Sequence, residues 1–275
     1  MLENSSKTVN APQGPRRIHW GWVVLLPVWT YIAFWLAQIF VVALQWLLVW
    51  LGVPLAGLNE TVLVTTLSAL VYVFAVVIVV GLPYLVWKRH TSRQELGVPD
   101  LPAWMDIVLT VPAYVVYIIG SGVLLALIMS LLPSGIDLNQ AQQLPFTQTM
   151  LGDGWHYVLA FMTLVVFAPV AEEVLFRGYL YGKLRKSAPV WLSVVMASLA
   201  FGAAHLWAGP GSALQWAVAI DTFALSLVLC LLREHTGAIW AGVFVHALKN
   251  GLAFYLLFVN PELIEQIQSA TLPLL

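Results

Sequence analysis

The residues of this 275-residue chain that could do chemistry gather in its second half, at helical spacings within apolar surroundings. Ala171-Glu172-Glu173-Val174-Leu175-Phe176-Arg177-Gly178 brings two carboxylates and a guanidinium together. Phe201-Gly202-Ala203-Ala204-His205 ends on an imidazole, and His246-Ala247-Leu248-Lys249-Asn250 offers an imidazole and a carboxamide one turn apart. At about 100° per residue, Glu173 and Arg177 lie about 40° apart on a helix and can pair, whereas Glu172 lies about 140° from Arg177 and faces elsewhere. The two carboxylates are therefore read as unlike in role: Glu173 is an ion-pair partner and Glu172 is left for proton transfer. His205 can act as general base, hydrogen-bond donor or metal ligand, with Phe201 one turn earlier on the same face to exclude water. His246 and Asn250 can both donate hydrogen bonds.

Each cluster also has a structural explanation. A buried Glu-Arg pair can lock helix contacts, a histidine near a span end can be interfacial, and a His/Asn pair can bond a neighbouring helix. Three such explanations would have to hold at once on three neighbouring segments, which favours one shared site. Asp221 and Lys249 are expected to pair as a structural salt bridge, the other use of Lys249 being recognition of a substrate carboxylate.

The elements that must position these groups form a membrane-embedded helix bundle. Hydrophobic residues make up 61% of the chain and charged ones 9%, against about 45–50% and about 25% in soluble domains. A net charge of −1 with no concentrated basic patch excludes a nucleic-acid partner. The single cysteine, Cys230, permits neither an intrachain disulfide nor a CxxC site. Residues 1–17 are polar and the apolar run after them is far too long for a signal-peptide core, so it reads as a retained first anchor.

A crossing needs about 20 apolar residues, which predicts seven spans at roughly 20–50, 62–87, 104–132, 155–182, 189–208, 213–232 and 238–259. Lys7, Arg16 and Arg17 precede the first; Lys88, Arg89 and Arg93 lie between the second and third; Lys183, Arg185 and Lys186 end the fourth; Arg233 follows the sixth. The alternate loops 53–61, 133–154 and 209–212 hold no Lys or Arg, the pattern of translocated segments. The expected fold is an all-α polytopic transmembrane helix bundle of about seven spans, six to eight being possible, with the N-terminus cytoplasmic. It comprises a polar tail, 1–17, and one helical domain, 18–275, whose motif-bearing core is about 155–260. Trp87, Trp104, Trp155, Trp191, Trp207, Trp216 and Trp240 fall near span ends, at the headgroup level that amphipathic rings prefer. The first span is overlong and is expected to tilt, protrude or break near Pro27, with room for an eighth element. The 133–154 loop, with Asp137, Gln140, Gln142, Gln143 and Asp153, is the long external one.

An ionisable residue at mid-bilayer costs about 2.5–3.5 kcal/mol on insertion scales and marks a functional site by default. The first three spans hold only Asp106, so residues 1–150 read as hydrophobic scaffold. One geometric point resists a shared site. If the fourth span leaves the bilayer near Gly182 and the fifth enters near Pro189, Glu172 lies about 15 Å and His205 about 24 Å from the cytoplasmic face.

Taken together, Glu172-Glu173-x-x-x-Arg177, Phe201-x-x-x-His205 and His246-x-x-x-Asn250 resemble the three motifs of the CAAX prenyl endopeptidase and bacteriocin-processing (CPBP, or Abi) family of intramembrane proteases. The resemblance implies an endopeptidase acting on a membrane-associated peptide or protein. Glu172, assisted by His205, would deprotonate a water; His246 and Asn250 would donate to the oxyanion; Glu173 with Arg177, and Phe201, would support the site. It implies no cofactor, the alternative being zinc held by Glu172, His205 and His246. The partners expected are a substrate at the membrane and the lipid bilayer, and the location expected is the cytoplasmic membrane of a prokaryote. Two other classes compete: a non-catalytic peptide-binding, immunity or assembly protein of the same family, and a proton-coupled transporter using Glu172 and His205 as a relay. Inverted repeats or paired broken helices, which would support a transporter, are not convincingly found.

Overall fold

The computed structural model describes residues 17–131, 144–152, 154–207 and 212–263. Lys7, Arg16 and the rest of the polar tail up to 16 lie outside the described residues, as do Asp137, Gln140, Gln142, Gln143 and Asp153 of the 133–154 loop and residues 209–211. The described residues form seven helices and no strand: α1 (Trp20–Trp50), α2 (Glu60–Trp87), α3 (Trp104–Leu131), α4 (Gly154–Ser187), α5 (Val190–Ala204), α6 (Trp216–Thr236) and α7 (Trp240–Val259). The all-helical, polytopic reading of the sequence is therefore correct.

Six of the seven helices are long and apolar enough to cross a bilayer; α5 is not. Its 15 residues extend about 22 Å at 1.5 Å per residue, short of about 30 Å of hydrocarbon. The full span predicted at 189–208 is corrected accordingly. Hydropathy could not detect the difference, because the composition stays apolar past the helix end while the backbone turns at His205 (φ −100°, ψ 0°). The turn satisfies itself: His205 N–H donates to Gly202 O at 3.0 Å, Leu206 N–H to Ala203 O at 3.2 Å, and Gln215 N–H to Leu206 O at 2.7 Å. Irregular backbone at membrane depth is tolerated only under such cover.

The first helix is not broken. It runs unbroken from Trp20 to Trp50 through Pro27, and no eighth helix lies there. Trp104, Trp216 and Trp240 open their helices, Trp155 and Trp191 stand second in theirs, and Trp87 closes α2, as the sequence predicts.

Two ends of the bundle can be told apart. At one, the loop 88–100 is tied to its neighbours: Lys183 Nζ reaches Glu95 Oε2 at 3.0 Å, Arg233 Nη2 donates to Gln94 O and Glu95 O, and Trp240 Nε1 donates to Asp100 O. His19 N–H donates to Ser187 O at the same level. The basic loops of the second, fourth and sixth spans thus share one face. At the opposite end, Thr61 Oγ1 donates to Met150 O and Gln148 Nε2 to Leu257 O. This two-faced arrangement is what the alternation of loop charge predicts.

Helix α4 continues past Gly182 to Ser187 and turns within Ala188 and Pro189 into α5. The Arg185 guanidinium closes the turn on Ala188 O at 3.2 Å. Glu172 is fifteen residues before the end of α4, and His205 is fifteen residues after the start of α5. The mismatch in depth arose from ending the fourth span five residues early, at its first lysine, and it disappears. On its other side α5 approaches α6 closely, because a methyl at Gly202 would sit 2.7 Å from Ala219 O.

Gly202→Val is expected to cost about 1–3 kcal/mol by overpacking and to lower the thermal midpoint in detergent. Gly81→Ala, with nothing within 4 Å of the added methyl, should leave it unchanged or raise it. Equal midpoints for Gly202→Val and the parent would mean that α5 and α6 are not in close contact.

Candidate active site

Glu173 lies fully buried on α4 with Arg177, also fully buried, one turn later; Arg177 Nη1 donates to Glu173 Oε1 at 3.0 Å. The i,i+4 pairing expected from the sequence is present. The same Oε1 also accepts from His246 Nδ1 of α7, at 3.1 Å. Glu173 thus joins two helices as well as pairing within one. Gly242 makes room for it, since a methyl there would lie 3.1 Å from Glu173 Oε2. Arg177 is further held by Phe201 of α5, whose ring centroid lies 4.2 Å from its Cζ, a cation–π contact that strengthens when desolvated. Phe201 does more than exclude water. It meets the His246 ring edge-on at 5.7 Å and 90°, and the His205 ring at 4.7 Å, so it spaces the two imidazoles.

Glu172 points the other way, as the helical angles predict. Its Oε1 accepts from Tyr72 Oη of α2 at 2.8 Å. Its Oε2 lies 3.8 Å from His246 Nε2 and 4.0 Å from His205 Nε2. His205 Nδ1 is 2.9 Å from Phe201 O, and His246 Nδ1 is on Glu173. A carbonyl and a carboxylate only accept, so both rings carry their proton on Nδ1 and turn a bare Nε2 toward Glu172. Gaps of 3.8–4.0 Å are too wide for a direct hydrogen bond and suit a bridging water.

Asn250 lies one turn beyond His246, and its Nδ2 donates to Leu164 O at 2.9 Å. Leu164 is in a π-helical stretch of α4, Met162–Phe167, a feature common at functional sites. Pro169, five residues later, has no N–H to offer backward, and the Leu164 carbonyl is met by Asn250 instead. The second Nδ2 hydrogen stays available to the site. A cavity of about 210 Å³ is walled by Tyr72, Glu172, His205, His246, Lys249 and Asn250. A second, of about 610 Å³, touches Glu172 and His205 from the other side and runs between α1 and α5 past Tyr31, Trp35 and Gln38. Glu172 and His205 stand where the two meet.

The sequence motifs thus converge, and the same region carries a family match. A family model described as Rce1-like, type II CAAX prenyl endopeptidase, matches residues 154–252. This stretch, about a third of the chain, is similar to that family. The curated proteins and the solved structures searched contain no match to the chain. The matched stretch holds Glu172, Glu173, Arg177, Phe201, His205, His246 and Asn250, and it excludes Tyr72.

Tyr72 is therefore the group that the reading of residues 1–150 as scaffold missed. A signal was there: it is the one tyrosine in the middle of the second span, where a hydroxyl needs a partner. The pairing of His246 with Glu173 was also not foreseen. Asp221 and Lys249 do pair, Lys249 Nζ lying 3.2 Å from Oδ2, while Oδ1 accepts from Tyr117 at 2.6 Å and Ser121 at 2.8 Å. Three helices are joined by that carboxylate, beside the cluster of Glu172, His205 and His246. Among the described residues no group of three or more His, Cys, Asp or Glu side chains is placed to hold a metal ion.

Removing Arg177 leaves Glu173 buried without its cation. Arg177→Ala should cost about 3–5 kcal/mol, read as a lower thermal midpoint or loss of folded protein in detergent. The double variant Glu173→Gln with Arg177→Met should recover most of that loss. A single Arg177→Ala variant as stable as the parent would show that the pair does not hold the helices.

Proposed function

We propose that the protein is an intramembrane endopeptidase that hydrolyses a peptide bond of a membrane-associated peptide or protein, with Glu172 as the base that activates water. The observation that carries this reading is the convergence of Glu172 Oε2 with two bare imidazole nitrogens, 3.8 and 4.0 Å away, leaving a gap of one water. Intramembrane peptidase activity is what the Rce1-like family implies, and the geometry supports a particular division of labour.

A water in the gap gives one proton to Glu172 as its oxygen attacks the substrate carbonyl. His205 Nε2 accepts a hydrogen bond from the water's other O–H, which turns a lone pair of the water oxygen toward the carbonyl. The tetrahedral oxyanion forms beside His246 and Asn250, where Asn250 has a free amide hydrogen. His246 would donate there through Nε2 only in its doubly protonated form, with Nδ1 still on Glu173. Glu172 then passes its proton to the leaving amine, the C–N bond breaks, and the carboxylate is restored. Tyr72 fixes Glu172 from behind, and the cavity between α1 and α5 gives an extended peptide a route from the bilayer. No serine or cysteine nucleophile is needed.

Two imidazoles and one carboxylate are also the donor types of a catalytic zinc site, which keeps zinc as the second reading. The three side chains would have to close on the ion from their present separation, and no step above runs through it.

Purified protein in detergent, given a library of candidate peptides, should cleave one or more, while Glu172→Ala and His246→Ala should not; equal cleavage by all three would refute the assignment. Asn250→Ala should fold and lose about 10²–10³ in turnover. Persistence of cleavage in strong chelator, with less than stoichiometric metal in the same sample, supports the carboxylate mechanism, and loss restored by zinc supports the metal one. Tyr72→Phe removes a hydrogen bond to a charged group, so kcat should fall roughly 10- to 100-fold with KM little changed. An unchanged kcat would remove Tyr72 from the site.

A further inference from the structure

A third recess, of about 620 Å³, lies away from the catalytic cluster, at the basic end between α1 and the ends of α2 and α4. One wall is a stripe of α1, Trp22, Leu25, Trp29 and Ile32, and the other includes Pro83 and Trp87 of α2. Trp22, Leu25, Ile32 and Trp87 keep 41–62% of their surface exposed, so the stripe faces outward, where the bilayer is. Ten residues of helix carry it about 15 Å inward, along the direction of an acyl chain.

The mouth of the recess is charged. Arg89, Lys183 and Lys186 stand around it. Both lysines turn to a single carboxylate, Glu95, Lys183 at 3.0 Å and Lys186 in direct contact. The Arg89 guanidinium lies 4.8 Å over the Trp22 ring and forms no ion pair among the described residues. Three cations therefore share one anion at the point where an apolar groove meets the membrane surface. Lys186 keeps its side chain 55% exposed, within reach of a ligand.

We propose that this recess is a binding site for an anionic phospholipid, its phosphate held by Arg89 and Lys186 and one acyl chain laid along Trp22, Leu25, Trp29 and Ile32. A guanidinium suits a phosphate because it offers two parallel donors. Basic pockets between spanning helices on the cytoplasmic side are the known setting for anionic headgroups. The charge selects the headgroup, and the depth of the groove selects a lipid over a soluble phosphate. The site stands independently of the catalytic reading, since none of its residues lines the catalytic cavities.

Native mass spectrometry of the full chain, released from micelles doped equally with phosphatidylglycerol and phosphatidylcholine, tests this. The parent should retain phosphatidylglycerol in preference by roughly 30-fold, for two uncompensated charges. Arg89→Gln with Lys186→Gln should bring the preference near unity, whereas Lys88→Gln with Arg93→Gln, which removes equal charge outside the recess, should keep it. Leu25→Trp, which fills the groove, should lower retention of both lipids while the thermal midpoint holds. Glycerol phosphate in excess should not displace the lipid. Equal retention of the two lipids by the parent, or an unaltered preference in Arg89→Gln with Lys186→Gln, would overturn the site; displacement by glycerol phosphate would make it a phosphate site instead.

Discussion

Burying the Glu173 carboxylate between α4, α5 and α7 is the constraint on which the rest of the site depends. Desolvating a carboxylate costs several kcal/mol unless cations and donors answer it, and here Arg177 and His246 answer at one oxygen. The His246 ring is fixed in orientation as a result, with Nδ1 occupied and Nε2 turned to Glu172. Phe201, against Arg177 and both imidazoles, then sets how far apart the rings stand. The carboxylate that faces away from Glu172 thereby decides which nitrogen of His246 is turned toward it.

Much of this could be read from the residues alone. One-turn spacing paired Glu173 with Arg177 and separated Glu172 from both, because those angles depend on helix geometry, and the pair forms even though Arg177 lies in a π-helical stretch, Val174–Tyr181. Loop charge gave the two faces of the bundle for a similarly local reason. What could not be read were contacts between helices distant in sequence. Nothing in the α2 sequence says which of its faces meets α4, so Tyr72 passed as scaffold. Nothing in the α7 motif says that one ring nitrogen is used up by Glu173.

The length of α5 was misjudged for another reason. Hydropathy measures what a segment would prefer as solvent, and Leu206 and Trp207 prefer lipid as well as any helical residue does. Whether the backbone stays helical there is decided by what covers its free amides and carbonyls, here Gln215 and the turn itself. A protein interior at membrane depth can supply that cover, and the imidazole gains a position at a helix end that a through-going helix would deny it.

The two-residue turn at Ala188 and Pro189 gives the α4–α5 hairpin equal arms, one reaching fifteen residues to Glu172 and the other fifteen to His205. Such a hairpin works as a ruler with its zero at the turn. Lengthening one arm by a residue would swing its side chain about 100° around the axis and carry it about 1.5 Å along, so carboxylate and imidazole would lose each other in angle before they did in distance. Lengthening both arms by a full turn would preserve their meeting and only carry it deeper. The depth at which Glu172 and His205 meet is therefore set by the length of one hairpin, and it can change without either residue being replaced.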